Sequence, residues 1–419
     1  MSKFKTILEW TNVIASMLLI ASMLFPFSYQ KPFVIAFAIS MLADIIVNRR
    51  FSLRKHTWQY AVFFVLIAYY ACVWIWHIFE ESTMEIFLLD TQRRLPFLIF
   101  GILGLTTTVN PRLHPRHFAY AMLTTGVVAG FWTAYNTLAH LHQVGAAIDI
   151  VSYQDTFARV RYTYVASHMT FNLYLNMGIV WAIYTIDHST SKWERCLLGV
   201  EIAVAYLFLL TSDGRTGFIT SILLAGYVAC MLIYRYCRKY LVLGSIAALV
   251  FSAALLMFHP RMMLAGEDLK NGDRGHIDPR GAIWDYTLDV CLERPLLGYG
   301  VSDGRKYFTE HANLDPDMME SYVTHFSTDN PHFKSIYEIH PHNAWLAAWL
   351  EFGIVGVLLF SAIFVVPIAT LRGEKLVYLT PILGIFAMQS MFESLGMFLS
   401  PMIISWFIYY TIRSPQIKG

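Results

Sequence analysis

Residues 340–356 read HPHNAWLAAWLEFGIVG, and this stretch decides how the rest of the chain is interpreted. Two histidines and an asparagine stand at the mouth of an apolar run that continues far enough to cross a bilayer. Titratable groups placed where water meets lipid are costly and usually functional. The function therefore depends on which side of the membrane this mouth faces, and on which other polar residues face the same side.

The composition is that of a membrane protein. Of the 419 residues, 56% are hydrophobic and 14% are charged, whereas a soluble domain carries roughly 25% charged residues. The net charge of +2 says little, because a membrane protein sorts its charges between two sides. Of the five cysteines only Cys291 falls in the largest loop, and no pair has metal-ligand spacing, so no disulfide framework is expected. No nucleic-acid partner is expected either.

Runs of about 20 apolar residues mark membrane helices. They predict an all-α polytopic membrane protein with about twelve transmembrane helices. The runs lie near residues 8–28, 32–48, 57–78, 94–110, 117–138, 163–185, 196–212, 216–234, 241–259, 343–370, 376–396 and 399–413. Lys3 and Lys5 precede the first run, which has no small-residue cleavage site, so we expect it to remain as a span. We predict one integral domain over residues 1–419, with a large loop over 260–342 between spans nine and ten.

Lysines and arginines in short loops set the orientation of such a chain. Five loops carry them, at Arg49, Arg50, Arg54 and Lys55, at Arg112 and Arg116, at Lys192 and Arg195, at Arg235, Arg238 and Lys239, and at Arg372 and Lys375. With twelve spans and a cytoplasmic N-terminus, all five loops fall on the same side. We therefore predict that both termini are cytoplasmic and that the loop over 260–342 lies on the outer side.

Three arginines are predicted on the outer side next to spans. Arg215 stands in the turn between spans seven and eight, and Arg159 and Arg161 precede span six. A guanidinium group is a rigid fork of donors that suits phosphate. The structural alternative for Arg215 is that it snorkels to the headgroups or pairs with Asp213.

The large loop contains a predicted helix of its own. Asp278-Pro279 is a favourable helix start, apolar residues follow at three- and four-residue intervals, and Pro295 ends the pattern. Arg280 lies in the first turn of this helix. Taken alone, Arg280 is expected to be a solvated charge. Taken together with the other outer arginines, it is a candidate ligand for an anion.

Two further polar positions are candidates for supporting roles. His168 lies four residues before Asn172 in span six, so both share one helix face. They either face a site or hydrogen-bond to a neighbouring helix and hold the bundle together. Glu393 lies near the outer end of span eleven, where a carboxylate needs a partner, either in a structural pair or in a site.

The histidines at the helix mouth, His340 and His342, have several possible roles. A histidine can act as a general base near neutral pH, donate to an anion or satisfy a helix end. A zinc site is the alternative, because the same loop holds histidines at 276, 311, 325 and 332. The sequence has no HExxH spacing and no accompanying carboxylate or cysteine cluster, so we predict no metal and no cofactor.

Together these residues indicate one kind of chemistry. Several arginines, a histidine pair and a carboxylate map to one membrane face, next to a large loop. Paired arginines at headgroup depth suit a diphosphate, and a diphosphate on a lipid tail is a polyprenyl-diphosphate carrier. A histidine beside it suits glycosyl transfer, because arginines can neutralise the charge that develops on the leaving diphosphate.

The motif at the helix mouth resembles a family signature. His342-Asn343, nine residues, Gly353, two residues and Gly356 is similar to the signature of the O-antigen ligase and O-antigen polymerase superfamily, with Glu351 in between. The match in spacing is complete.

Two other segments carry the same resemblance. The turn with Arg215 is similar to the family's arginine-bearing segment, although Asp213-Gly214 intervene before the arginine. Arg280 and the later stretch PLLGYG at 295–300 resemble the family's loop helix with its Pro-x-x-Gly-x-Gly ending. Spans one to five carry no signature.

The resemblance implies a membrane-embedded, GT-C-like glycosyltransferase of the bacterial inner membrane, with a periplasmic active site capped by the loop over 260–342. The donor would be an undecaprenyl-diphosphate-linked glycan and the acceptor the lipid A–core of lipopolysaccharide, with inversion and without a metal. His342 would activate the acceptor hydroxyl. The diphosphate would be held by Arg215 and Arg280, with Arg161 and Arg159 as further candidates. Supporting roles would fall to His340, Asn343, Glu393 and His168.

Four alternatives stay open. A polymerase would use the same donor with another carrier-bound glycan as acceptor. A protein O-oligosaccharyltransferase usually has a longer C-terminal periplasmic region, whereas this chain ends soon after its last predicted span. A transporter for lipid-linked sugars usually has pseudo-symmetric halves and polar residues near the midplane. A metal sensor built on the loop histidines is the further non-enzymatic alternative.

Overall fold

The computed structural model is helical throughout the parts of the chain that it describes. These parts are residues 2–25, 27–52, 58–78, 84–146, 152–153, 156–157, 168–211, 215–236, 246, 280–301, 304, 307, 341–392 and 400–418. Within them the β-structure is a single isolated bridge between Phe51 and Thr107.

The helices of these parts are numbered here in chain order. They are α1 (Ser2–Ser22), α2 (Phe27–Val47), α3 (Ala61–His77), α4 (Met84–Thr106), α5 (Pro115–Ala119), α6 (Thr125–Gln143), α7 (His168–His188), α8 (Lys192–Thr211), α9 (Arg215–Tyr236), α10 (Arg280–Glu293), α11 (Ala344–Thr370), α12 (Gly373–Ser390) and α13 (Ser400–Arg413). A 3₁₀ turn over Trp58–Tyr60 leads into α3, and a π turn over Tyr120–Thr124 joins α5 to α6.

The apolar helices agree with a polytopic membrane protein. Five described helices are long and apolar enough to cross a membrane, over residues 3–22, 29–47, 58–77, 216–234 and 344–370. Each predicted span overlaps one of the helices named above, except the one at 241–259, of which the structure describes only Ile246. The total of twelve spans and the single domain with a capping loop stay predictions.

The start of α4 corrects one predicted boundary. The fourth span was predicted from residue 94, but α4 begins at Met84. Asp90, Arg93 and Arg94 lie inside this helix and lower its local hydropathy, so an apolar run becomes visible only after them. The helix tolerates these charges because they are paired, Arg94 with Glu351 at 2.6 Å and Arg93 with Asp90 at 3.6 Å.

Aromatic packing forms the centre of the bundle. Phe118 of α5 meets Tyr410 of α13 edge-on at 4.5 Å between ring centroids, and Trp181 of α7 meets Phe407 of α13 at 5.5 Å. Edge-to-face pairs of this kind contribute about 0.5–1.5 kcal/mol each beyond the buried area. They fix α13 against α5 and α7.

Basic loops meet the two terminal helices at one end of the bundle. Glu9 of α1 accepts hydrogen bonds from Arg50 at 2.8 Å and from Arg112 at 2.6 Å. Arg413, the last residue of α13, donates to the carbonyl oxygen of Thr107. Two of the five predicted basic loops therefore gather at this end, which is called the basic end below.

The second half of α11 connects the basic end to the opposite end of the bundle. Lys375, which follows α11, donates to the carbonyl oxygen of Ile412 at 2.7 Å and so belongs to the basic end. Gly353 has non-helical backbone angles, and Trp345 of the first turn donates to Ser361 Oγ at 2.9 Å. The first half of α11 therefore folds back along the second half, and it is Gly353 that lies at the far end of the bundle. The far end is where the sequence predicts the outer face.

Candidate functional site

The segment His342-Asn343 forms a capped entrance to α11. Asn343 is the N-cap, and its side-chain oxygen accepts from the backbone amides of Trp345 at 2.9 Å and Leu346 at 3.1 Å. Asparagine is among the preferred N-cap residues because it satisfies amides that have no partner within the helix. The motif asparagine therefore has a structural role in this structure.

His342 is held in an uncommon backbone conformation. Its φ is 48°, in the left-handed region, where a non-glycine residue costs about 1–2 kcal/mol. Such a conformation persists only where the surroundings fix it, and it is frequent at functional sites. Here the chain turns sharply into the cap of α11. The side chain is half-buried, and its Nδ1 is enclosed.

The loop helix α10 is fastened to this entrance. Trp284 donates its indole N–H to the carbonyl oxygen of Pro341 at 3.0 Å, and its ring meets Phe392 at 5.8 Å between centroids. The sequence prediction of a helix ending before Pro295 is confirmed, since α10 covers Arg280–Glu293. The predicted helix start at 278–279 lies outside the described residues. Trp284 thus connects the loop helix to the residue next to His342.

A small apolar cluster holds α10 against the first half of α11. It consists of Ile283, Val290, Cys291, Tyr299 and Leu350. The Cys291 thiol points at the carbonyl oxygen of Leu346, and burial raises the pKa of this thiol to about 12. Cys291 is free and packs as a small apolar residue. The loop helix is therefore a packed part of the bundle.

The helix α11 is broken at Gly353. This glycine has φ 64° and ψ −155°, which is far from helical geometry. The turn that follows α10 occupies the break: Tyr299 N donates to Leu350 O at 2.8 Å, and Gly300 N donates to Glu351 O at 2.8 Å. In return, Ile354 N donates to Pro295 O at 2.9 Å. The inserted turn thus replaces hydrogen bonds that an unbroken helix would make within itself.

The glycines of the two motifs are explained by this contact. A Cβ on Gly353 would collide with the backbone of Leu296, in addition to the strain of a positive φ. A Cβ on Gly298, whose φ is 66°, would lie 2.6 Å from Gly353 N and 2.7 Å from Leu350 O. Gly356 lies one turn beyond the break, where a Cβ would collide with the carbonyl oxygen of Ala348 in the first half of α11. Both motifs therefore need glycine because two backbones approach closely here.

A buried ion pair lies beside the break. Arg94 of α4 donates to the Glu351 carboxylate at 2.6 Å, and their side chains are 3% and 6% exposed. The guanidinium also lies over the ring of Phe352 at 5.8 Å. Glu351 is thereby held twice, by its side chain to α4 and by its carbonyl oxygen to Gly300.

Sequence reasoning did not select Arg94 as a site residue. The signal was present, because Arg94 is followed directly by the apolar run Leu95-Pro96-Phe97-Leu98, and an ionisable residue at a membrane helix is by default a functional candidate. In the sequence it stands only as the first residue of the predicted span over 94–110. The partner, Glu351, is more than 250 residues away in sequence, so only the fold could join them.

Arg215 and His168 begin helices at the far end of the bundle, opposite the basic end. Arg215 is the first residue of α9, and His168 is the first residue of α7. The start of α9 lies against the side of α7, because Asn176 of α7 donates to the carbonyl oxygen of Gly217 at 3.2 Å. This contact favours the structural alternative for the polar face of α7, in which amides hold the bundle together. The described contacts do not join this pair of helix starts to His342.

Four of the predicted site residues lie outside the described residues. These are Arg159, Arg161, His340 and Glu393, together with the loop histidines of the zinc alternative. Of the nine predicted positions, the structure describes the side chains of His342 and Asn343, and it describes Arg215, Arg280 and His168 as helix residues.

Comparison with known sequences finds a match to one protein family. Residues 201–361 match the sequence model of a family described as O-antigen ligase. The matched segment contains the start of α9, the loop helix α10, the inserted turn and the broken part of α11. The match confirms the predicted resemblance and supports assigning the chain to the O-antigen ligase family.

One curated relative is similar over most of its length. An uncharacterized protein of Haemophilus influenzae is 20% identical over 371 residues, which cover 85% of this chain and 83% of the relative. This relative carries no described activity, so the similarity to O-antigen ligases rests on the match over residues 201–361.

Proposed function

We propose that this protein is an O-antigen ligase of the bacterial inner membrane. It transfers a glycan from undecaprenyl diphosphate to a sugar hydroxyl of the lipid A–core oligosaccharide, on the periplasmic face. The observation that carries the proposal is the family match over residues 201–361, since it covers the elements that meet around the break in α11. The helical bundle with five apolar helices supports a membrane location.

In this proposal His342 is the general base. The acceptor hydroxyl oxygen attacks the anomeric carbon, and the bond from that carbon to the diphosphate oxygen breaks, which inverts the anomeric centre. The hydroxyl proton passes to the imidazole, and undecaprenyl diphosphate leaves. Because Nδ1 of His342 is enclosed, we assign the proton transfer to Nε2.

Arg215 and Arg280 would bind the diphosphate. Both are the first residues of helices, α9 and α10, and a helix N-terminus offers free amides and a positive dipole to an anion. Arg280 lies four residues before Trp284, about 6 Å along the helix axis, and Trp284 is bonded to the residue preceding His342. These contacts support a shared site for Arg280 and His342. Arg161 and Arg159 would be further diphosphate ligands.

Supporting roles remain for residues near the entrance. His340 and Glu393 would complete the site around His342, and His168 would face it from the start of α7. Asn343 would act through its N-cap hydrogen bonds, which fix the backbone between His342 and the first turn of α11.

The decisive experiment is glycan transfer by the purified protein. Carrier-linked glycan and core acceptor are mixed with the wild type, with His342→Ala and with His140→Ala, in the presence and absence of a chelator. His140 is an exposed histidine of α6 and serves as the matched control. We expect activity in the wild type and the control only, with no effect of the chelator. Full activity of His342→Ala would refute its role, and loss of activity with chelator would revive the metal alternative.

Gene deletion separates the ligase from its main alternative. Without a ligase, lipopolysaccharide should carry a bare core while polymerised carrier-linked glycan accumulates. Without a polymerase, the core should instead carry a single repeat unit. Loss of lipid-linked sugar from the outer leaflet would point to a transporter.

A further inference from the structure

The end of α10 and the turn after it present leucines that no described residue covers. Leu292 is 61% exposed, Leu296 69% and Leu297 61%. Leu288, one turn earlier on the same helix stripe, is 37% exposed. These four residues are called the leucine edge. Contiguous apolar patches of this kind mark a surface that meets a partner or a membrane.

The backbone of the turn is satisfied from within the protein. Pro295 O accepts from Ile354 N and, at 3.1 Å, from the indole N–H of Trp349. Leu297 O accepts from the indole N–H of Trp76. A turn in water needs no such partners, because water satisfies its carbonyl groups. Irregular backbone at membrane depth does need them, because lipid offers none.

Two helices independently give the depth of the turn. Gly353 stands seventeen residues before Thr370, the end of α11, which corresponds to about 26 Å of helix. The hydrocarbon core of a bilayer is about 30 Å thick. With the end of α11 at one boundary of this core, the break lies just inside the other.

The helix α3 gives the same depth for the turn over 295–300. Trp58 and Trp76 stand eighteen residues apart at the two ends of the apolar α3 segment, again about 27 Å. Tryptophan is enriched at both membrane interfaces, so these two residues mark the boundaries. Since Trp76 is bonded to Leu297 O, the turn lies at the outer boundary.

The same element also carries exposed charged residues, namely Asp285, Asp289, Glu293 and Arg294. Glu293 accepts from Tyr299 Oη at 2.8 Å and from Tyr307 Oη at 2.6 Å, and the Arg294 guanidinium lies over the ring of Tyr299 at 4.6 Å. The charged groups at the end of α10 are therefore held by the tyrosines that follow it, whereas Asp285 stands near the start of the helix.

We propose that the turn over 295–300 and the leucine edge lie within the outer leaflet, where lipid acyl chains cover them. The lipid-facing surface is continuous with them, since Ile78 beyond α3 is 77% exposed and Leu358 of α11 is 63% exposed. Part of the loop expected over 260–342 therefore lies inside the membrane. The inference concerns the membrane position of this element and does not depend on the proposed reaction.

Fluorescence quenching in proteoliposomes tests this directly. Leu296→Cys and Asp285→Cys are made in full-length protein whose five cysteines have been replaced, labelled with NBD and reconstituted in phosphatidylethanolamine and phosphatidylglycerol. We expect the label at 296 to be quenched by lipids with a nitroxide on the upper acyl chain. We expect the same label to be protected from quenching by aqueous iodide. The label at 285 should show the reverse.

Two outcomes would overturn the proposal. Iodide quenching at 296 as strong as at 285 would place the turn in water. Protection of 296 from both quenchers would mean that protein, such as a second copy of the chain, covers the leucine edge. If Leu296→Cys does not give monodisperse protein, Leu297→Cys carries the same expectation.

Discussion

The break in α11 predicts a large effect from the smallest possible side chain, in the variant Gly353→Ala. The methyl group faces two separate penalties. At φ 64° an alanine is in the left-handed region, which costs about 1–2 kcal/mol. The new Cβ also collides with the backbone of Leu296, so the inserted turn has to move.

The second penalty can be estimated from the contacts that the turn makes. Three backbone hydrogen bonds cross the break, from Tyr299 N, Gly300 N and Ile354 N. Each such bond contributes about 0.5–1.5 kcal/mol, so with the backbone strain the expected loss is roughly 3–6 kcal/mol. Native proteins are stable by only about 5–15 kcal/mol, so this loss is a large fraction of the total.

The matched control is Gly384→Ala in α12, where an added Cβ meets nothing within 4 Å and the backbone is helical. Helix propensity makes this change neutral or favourable by up to about 1 kcal/mol. Thermal unfolding in detergent, followed by size-exclusion chromatography, compares the two variants. Equal melting temperatures for Gly353→Ala and Gly384→Ala would refute the close approach of the turn to the break.

Three further changes follow from the same structure. Arg94→Met should lower stability by about 3–5 kcal/mol because it leaves the buried Glu351 carboxylate without its partner, whereas Arg94→Met with Glu351→Leu should recover most of the loss; equal melting of the single and double variants would contradict this. Asn343→Ala should cost about 0.5–2 kcal/mol and Asn343→Asp less, because the carboxylate still caps α11; a melting temperature that is unchanged by alanine would count against the cap. Cys291, with a pKa raised to about 12 by burial, should react with maleimide at neutral pH only after unfolding; mass spectrometry of labelled, folded protein measures this, and rapid labelling would be the contrary result.

Most of the helices could be predicted from the sequence, because a long apolar run in a membrane protein has few alternative structures. The start of α4 could not, since Asp90, Arg93 and Arg94 make that part of the helix appear polar. Charged residues can enter such a helix only when the protein interior supplies a partner, and the partner Glu351 is distant in sequence. Hydropathy is a local property and does not detect such pairs.

The site was predictable to a different extent. The motif spacing predicted the family resemblance that the match over residues 201–361 confirms, whereas the role of His342 stays a prediction. The helix α10 followed from its caps and apolar intervals. The sequence does not distinguish an N-cap role of Asn343 from a catalytic role, because both roles place a polar side chain at the start of a helix. The reason for Gly298 and Gly353 could not be predicted either, since it is a close approach between two backbone segments that are distant in sequence.

The inserted turn explains why the two motifs occur together. Gly298 of the turn after α10 and Gly353 of α11 are the two sides of a single backbone contact, in which a side chain on either residue would displace the other segment. That contact joins the end of α10 to the middle of α11, while Trp284 joins the start of α10 to the entrance of α11. The helix α10 is therefore fixed at both ends to the half-helix that follows His342. A protein that must hold an anion ligand on one segment and a base on another at constant separation needs such double attachment, because a segment tied at one point can still swing. In this chain the double attachment fixes the start of α10, where Arg280 stands, relative to His342.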